Sequence, residues 1–389
     1  MIAVIADDFT GAAEIGGVGL RYGLKVLIET EVNHATDVDL LVIATDIRSL
    51  DTERAAVEIT KITCQLLELN PVVIFKKIDS VLRGHVAAEL EAQMKAMGKA
   101  RALIVAANPS LGRTIVNGQY FVGGVPLAET SFSDDPDFPV HTSVVTDIVT
   151  SDHFPVVSIE WSREIPLSGL VIANVATPDD LRQWAGRITS DMVIAGGSGF
   201  FSAYLQSLNY IETGMCDTEL SFGNSSLFIL GSKFPKCMGL PEKFQGNDVV
   251  RSNMPENVFR GQDYDDASME QWVRQIINQL QAGLSVMVTI EHQPIQSPDL
   301  SLRIRENIGK MVEKVAKNVA LNELFIEGGA TASVVFKYLG ISKLIPFCEV
   351  EFGVIQMRAP NYPNLCITTK PGSYLWPENL KFKKSEPIN

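Results

Sequence analysis

The sequence predicts an α/β protein of two lobes, each a mainly parallel sheet flanked by helices, with the site in the interdomain cleft. Three observations carry this reading. Short apolar runs alternate with helical patterns through the first half of the chain, which is the rhythm of βαβ units. That rhythm breaks around residues 209–225 and restarts with the apolar run Leu227 to Leu230. The polar residues able to do chemistry follow directly after apolar runs, where open α/β sheets bind their ligands. A length of 389 residues suits two domains. Their boundaries are set at 1–210 and 226–389.

The first element is the buried strand Ile2-Ala3-Val4-Ile5-Ala6, followed by Asp7-Asp8-Phe9-Thr10-Gly11-Ala12-Ala13-Glu14. Thr10 and Gly11 are read as the turn and Ala12 to Tyr22 as a helix. Asp8 or Thr10 could serve as the helix cap. A second adjacent carboxylate is then surplus, so Asp7 and Asp8 are candidates for function. Strands follow at Lys25 to Glu29 and Leu40 to Ala44. Thr52 to Leu69 carries Ala55, Ile59, Ile62, Leu66 and Leu69 at helical spacing. Val72 to Phe75 is a buried strand leading into Lys76-Lys77-Ile78-Asp79-Ser80-Val81-Leu82-Arg83-Gly84. His85 to Met97 is a helix and Ala102 to Ala106 a strand.

In a parallel sheet the clusters around Asp8 and Asp79 share one rim. Arginine forks onto a carboxylate and aspartate accepts hydroxyl hydrogens, so Asp7, Asp8, Asp79 and Arg83 suit a polyhydroxy acid, and Lys77 stands in the same cluster. A plain ion-pair network on a loop accounts for the same residues. Arg113, in Asn108-Pro109-Ser110-Leu111-Gly112-Arg113-Thr114, adds a second guanidinium after the next strand. Gly123-Gly124 between Gln119 to Val122 and Val125 to Leu127 marks a hairpin. Residues 131–153 read as a long polar loop. Strands return at Val156 to Ile159, Leu170 to Ala173 and Met192 to Ala195, with a helix start at Thr177-Pro178-Asp179-Asp180. Ala195-Gly196-Gly197-Ser198-Gly199 joins strand to helix. Its N–H groups could hold a substrate carboxylate at Gly197, and tight packing explains the glycines equally well.

The second lobe repeats this arrangement. Gly231-Ser232 follows the strand Leu227 to Leu230. Residues 234–268 are poorly defined. Helices are expected at Ser268 to Leu280 and Leu300 to Val319, with a strand at Ser285 to Ile290. Gly328-Gly329-Ala330-Thr331 follows the strand Leu324 to Ile326 and opens the helix Ala330 to Leu339. Lys370-Pro371-Gly372-Ser373 follows the strand Leu365 to Thr369. Three strand-end glycine turns could converge on a polyphosphate, with Lys370 as a point charge. Each is equally well read as only a turn. Neither GxxxxGK[ST] nor GxGxxG is present, so P-loop and dinucleotide fingerprints are absent and a dehydrogenase is disfavoured.

Composition excludes other classes. A net charge of −13 argues against nucleic acid or an anionic membrane as partner. The five cysteines are scattered, with no CxxC or Cys/His cluster, so neither zinc nor a disulfide framework is expected. No signal peptide or membrane span is read, which points to the cytosol. An oligomer is compatible with all of this.

ADDFTGAAE resembles the opening motif of the four-carbon acid sugar kinases, long catalogued as a family of unknown function. KKIDSVLRG, the Arg113-Thr114…Gly118…Tyr120 segment and Pro126-Leu127-Ala128-Glu129-Thr130 with Asp135-Pro136 are similar to further family motifs. The resemblance implies a first domain binding the acid sugar and a second binding ATP with Mg²⁺. It implies phosphorylation of the terminal hydroxyl of threonate, erythronate or an oxo-tetronate. Ser232, Gly328, Gly329, Ala330, Thr331, Lys370 and Gly372 match the family's nucleotide elements. Asp8 is the expected proton acceptor because it stands next to the turn, with Asp7 and Asp79 behind it. The chain departs from the family where Leu375-Trp376 replace the last glycine of K-x-G-x-x-G, and over residues 233–245. The alternative is a non-enzymatic acid-sugar sensor whose nucleotide site has decayed.

Overall fold

The computed structural model describes residues 1–33, 37–135, 138–216, 219–231, 244, 248–260, 266–290, 298–372 and 374–383. It divides into two compact units, Met1–Gly214 and Met215–Asn389.

The first unit contains β1 (Ile2–Ala6), β2 (Val26–Glu29), β3 (Leu40–Ala44), β4 (Val73–Lys77), β5 (Arg101–Val105), β6 (Arg113–Val116), β7 (Gln119–Val122), β8 (Val125–Pro126), β9 (Val156–Ile159), β10 (Gly169–Ala173) and β11 (Met192–Gly196). Its helices are α1 (Phe9–Arg21), α2 (Thr52–Glu68), α3 (Val86–Met97), α4 (Val145–Ile148), α5 (Pro178–Ala185) and α6 (Ser198–Ser207). The main sheet runs β2-β3-β1-β4-β11-β5-β10-β9, and its strands are parallel throughout.

Every residue of β1, β3 and β5 is buried, as expected for a parallel sheet covered on both faces. The α2 stripe of Ala55, Ile59, Ile62 and Leu66 packs with Ile5, Leu41, Ile43 and Ile74 in one core cluster. Parallel pairing in register matters most for function. Ala44, Ala6, Lys77, Gly196 and Val105 lie side by side, so the segments that follow β3, β1, β4, β11 and β5 all leave from one edge.

Two local expectations are corrected. Helix α1 begins at Phe9, so Thr10 and Gly11 belong to its first turn and Asp8 is the N-cap. Lys76 and Lys77 are the last residues of β4 and do not follow it. The hairpin forms as read, with Gly123 and Gly124 at φ 59° and 82°, the left-handed pair that a tight two-residue turn requires. It belongs to a small antiparallel sheet, β6-β7-β8. Thr177 and Asp180 form a full capping box on α5, with Pro178 in its first turn.

The second unit contains β12 (Ser221–Phe222), β13 (Leu227–Leu230), β14 (Val249–Asn253), β15 (Ser285–Thr289), β16 (Glu323–Glu327), β17 (Lys343–Glu351), β18 (Val354–Ala359), β19 (Tyr362–Lys370) and β20 (Lys381–Phe382). Its sheet runs β14-β15-β13-β16-β19-β18-β17. The strands from β14 to β19 are parallel, and β18 and β17 then add antiparallel. Helices Asp266–Gln281, Pro298–Asn318 and Gly329–Leu339 accompany it. Phe228 stacks on Phe325 at 4.2 Å between centroids, and Trp376 meets both rings edge-on. Among the described residues no helix is long and apolar enough to cross a membrane.

Candidate functional site

The rim of the first unit gathers the predicted polar residues because five parallel strands end there in register. Asp8 caps α1, its Oδ1 accepting from the Gly11 N–H at 2.7 Å. The expected cap and the candidate base are therefore the same residue. Its Oδ2 lies 3.4 Å from Nη1 of Arg48. Asp7, 2% exposed, accepts from Nε and Nη2 of Arg48 at 3.0 and 2.6 Å, both on Oδ2. Its Oδ1 is buried with no hydrogen-bond partner among the described residues.

Asp79 is held more completely. Its Oδ2 accepts from the N–H groups of Val81 and Arg83 and from Arg83 Nε at 3.0 Å, and its Oδ1 from Arg83 Nη2 at 2.8 Å. Arg83 spends its remaining nitrogen, Nη1, on Asp135 at 2.6 Å. Arg113 is different. Its Nη1 donates to the Ser80 hydroxyl and its plane lies over Phe132, and no carboxylate among the described residues pairs with it. The Tyr120 hydroxyl donates to the Ser80 carbonyl, which fixes the loop after β4 from the other side.

Lys77 Nζ donates to the Ile78 carbonyl at 3.0 Å and stands 3.8 Å from Glu14. Gly197 caps α6, but its own N–H is donated to the Val105 carbonyl at 3.1 Å. That contact supports the packing reading of this glycine turn.

Burial opposes ionisation of both Asp7 and Asp79, yet neighbouring cations outweigh it. Arg48, Lys76 and Lys77 hold the Asp7 carboxyl below the ordinary aspartate value, and Arg83 with Arg48 hold Asp79 far below it. A depressed native pKa stabilises the fold above the unfolded value of about 3.9 and loses that contribution as pH falls below it. Acid unfolding is therefore expected to steepen below about pH 4. In Asp79→Asn, urea titrations over that range should show a flatter dependence of stability on pH. An unchanged slope would exclude Asp79 from the acid response.

Sequence reasoning missed Arg48. It follows β3, a strand that was correctly read, through Thr45-Asp46-Ile47, so the strand-end rule applied to β1 and β4 would have found it.

In the second unit, pairing in register sets Leu230, Glu327 and Lys370 side by side at the ends of β13, β16 and β19. The three glycine turns leave from these positions. A Cβ on Gly231 would stand 2.6 Å from Thr331 Oγ1 and 3.2 Å from the Glu327 carbonyl, so only glycine lets these turns meet. The Gly328 N–H donates to the Lys370 carbonyl at 2.9 Å. Gly329, Ala330 and Thr331 form the first turn of the helix Gly329–Leu339, and Gly372 lies in the turn after β19. Ser232 lies outside the described residues.

Lys370 is 2% exposed. Its Nζ lies 3.0 Å from Glu327 and donates to the carbonyls of Pro371 and Tyr374 at 3.0 and 2.7 Å. It is built into the turn, which sequence alone could not reveal. Trp376, the neighbour of Leu375 at the last position of K-x-G-x-x-G, donates its indole N–H to Glu327 at 3.0 Å. The departure fills the core beneath the turn.

Two family models match the chain. Residues 2–204 match the family model described as a sugar-binding N-terminal domain, and residues 242–374 the one described as a nucleotide-binding C-terminal domain. The chain belongs to the four-carbon acid sugar kinase family. It is 36% identical over 179 residues to a D-threonate kinase of Salmonella typhimurium, covering 44% of this chain and 42% of that protein. It is 32% identical over 399 residues to a 3-oxo-tetronate kinase of Actinobacillus succinogenes, covering 92% of this chain and 93% of that protein. The chain spans about two fifths of the length of the D-threonate and D-erythronate kinases it matches at higher identity. A Salmonella typhimurium LT2 protein shares the fold with a TM-score of 0.76 at 17% identity, covering 96% of each chain. A Haemophilus influenzae protein does so with a TM-score of 0.69 at 20% identity, covering 95% of this chain and 96% of that one.

Proposed function

We propose that this chain of the family is an ATP-dependent kinase acting on the terminal hydroxyl of a four-carbon acid sugar: threonate, erythronate or an oxo-tetronate. The relatives' names support the reaction class. The observation that carries the substrate class is the rim of the first unit. There Arg113 has no carboxylate partner, and a buried Asp7 oxygen has no donor, among the described residues. A guanidinium suits the acid's carboxylate and a bare carboxylate oxygen suits a hydroxyl. Residues 1–210 bind the acid sugar and 226–389 the nucleotide.

Transfer needs positioning and charge neutralisation more than covalent chemistry. The substrate oxygen attacks the γ-phosphorus, the bond to the ADP oxygen breaks, and Asp8 takes the hydroxyl proton. Lys77, Asp79, Arg83 and Gly197 shape the rim around it. Backbone N–H groups of Gly329 to Thr331 and the Gly372 turn hold phosphates at a helix N-terminus, while the Gly328 N–H is already donated to the Lys370 carbonyl. Among the described residues no group of three or more His, Cys, Asp or Glu could hold a metal ion. Mg²⁺ would arrive on the nucleotide, bound largely by its phosphates and water. We place the reaction in the cytosol, where ATP is supplied.

A coupled ADP-release screen across the tetronate stereoisomers tests the reading, with turnover of at least one expected. A folded protein that turns over none would refute it. ATP with Mg²⁺ should raise the melting temperature, adding about 3–4 kcal/mol of apparent stability at 100 to 1,000 times Kd. A protein stabilised by tetronates but not by ATP would be the sensor. Arg113→Ala should weaken acid-sugar binding by about 2–4 kcal/mol, the scale for truncating one partner of a buried charge pair. Arg83→Ala should weaken binding less and lower the melting temperature more, because Arg83 already serves Asp79 and Asp135. Equal affinity of wild type and Arg113→Ala by calorimetry would reassign the carboxylate contact.

A further inference from the structure

We propose that Arg48 is a positioning residue of the acid-sugar site, gathering the Asp7, Asp8 and Asp79 carboxylates on one guanidinium. The proposal rests on the functional reading above for the identity of the site and in its kinetic test. Arg48 Nη2 and Nε hold Asp7, while Nη1 reaches Asp8 at 3.4 Å and Asp79 at 3.6 Å. These three carboxylates come from two separate strand ends, after β1 and after β4. Without a shared cation they would repel one another in a largely buried setting.

The backbone is built to deliver this side chain. Asp46 takes the left-handed conformation at φ 51°, and the turn Ile47–Ser49 follows. Ile47 is fully buried and anchors it. The Arg48 N–H donates to the Asp7 carbonyl at 3.4 Å, so main chain and side chain both bind the same residue. Gly84 lets the Arg48 stem pass, since a Cβ there would lie 3.1 Å from Arg48 Cγ.

Among the described residues no other cation is placed to replace it. The charged groups facing Asp7 are Arg48 after β3, Lys76 and Lys77 on β4, and Asp79 after β4. Lys76 is paired with Glu89 of α3 at 2.6 Å, and Lys77 stands 3.8 Å from Glu14 of α1. Remove Arg48, and burial together with Asp79 acts on Asp7 against cations already engaged elsewhere. Asp7 then takes up a proton at higher pH, and its Oδ2 loses both donors.

The test uses the full-length protein and two substitutions, Arg48→Met and Arg48→Lys. Carbon-13 NMR titration of the aspartate carboxyls, without ligand, should show the Asp7 midpoint rising by about 1–3 units in Arg48→Met. Arg48→Lys should lie between it and wild type, since an ammonium keeps the charge and loses the fork. An Asp7 midpoint unmoved in folded Arg48→Met overturns the proposal. If that variant does not fold, an unmoved midpoint in Arg48→Lys overturns it. With a tetronate and ATP, Arg48→Met should lower kcat about 10²-fold and displace the acid limb of the kcat profile upward, with partial rescue in Arg48→Lys. Equal loss in both variants with an unmoved pH profile would make Arg48 merely structural and overturn the proposal. If wild type phosphorylates no tetronate, the kinase reading fails while the titration still decides the role of Arg48.

Discussion

Asp8→Asn is expected to lower kcat by about 10²–10⁴, the usual contribution of general acid–base catalysis. The three rim carboxylates are not equivalent. Both oxygens of Asp79 accept from Arg83, and its strongly depressed pKa makes it a poor proton acceptor. Asp7 gives one oxygen to two donors of Arg48. Asp8 commits only Oδ1, to Gly11, and leaves Oδ2 at 3.4 Å from Arg48. Its role as cap makes the experiment clean. Asparagine caps about as well as aspartate, so stability should hold within about 0.5 kcal/mol. The amide still bonds a hydroxyl, so the substrate Kd should change little. Steady-state turnover and calorimetric Kd, measured together, separate the roles. A rise in Kd alongside the loss of rate would make Asp8 a binding residue. Normal kcat would remove it from proton transfer and leave Asp7 and Asp79 to be tested.

Lys370→Met should destabilise the protein by about 3–5 kcal/mol, the cost of removing one partner of a buried ion pair. Lys370 and Glu327 are both fully buried at the side chain and 3.0 Å apart. Methionine keeps the volume but leaves Glu327 without the ammonium, and the carbonyls of Pro371 and Tyr374 without their donor. Nucleotide affinity should fall as a consequence, because the Gly372 turn loses its tie to β16. Urea denaturation reads the first effect and ATP titration the second. Full stability with lost ATP binding would restore Lys370 to the role read from sequence, a point charge on phosphate.

The sequence by itself determined the strands of the first unit's parallel sheet, the hairpin at Gly123-Gly124 and the rim on which Asp7, Asp8, Asp79, Arg83 and Arg113 stand, while β14 and the antiparallel pair β17 and β18 were not legible in it. The legible features follow from local rules: apolar runs bury, glycine pairs turn, and parallel strands end on one side. Only the tertiary structure decided which charges are already spent. Arg83 and Lys370 look in sequence like open cations, and Arg48 like an ordinary loop residue. Their partners lie up to 52 residues away, as Asp135 does from Arg83. The Leu375-Trp376 pair likewise reads as a lost glycine until Trp376 is seen bonded to Glu327, 49 residues earlier. A side chain's availability depends on which distant groups the sheet register brings within about 3 Å of it, and a pattern confined to neighbouring residues does not contain that distance.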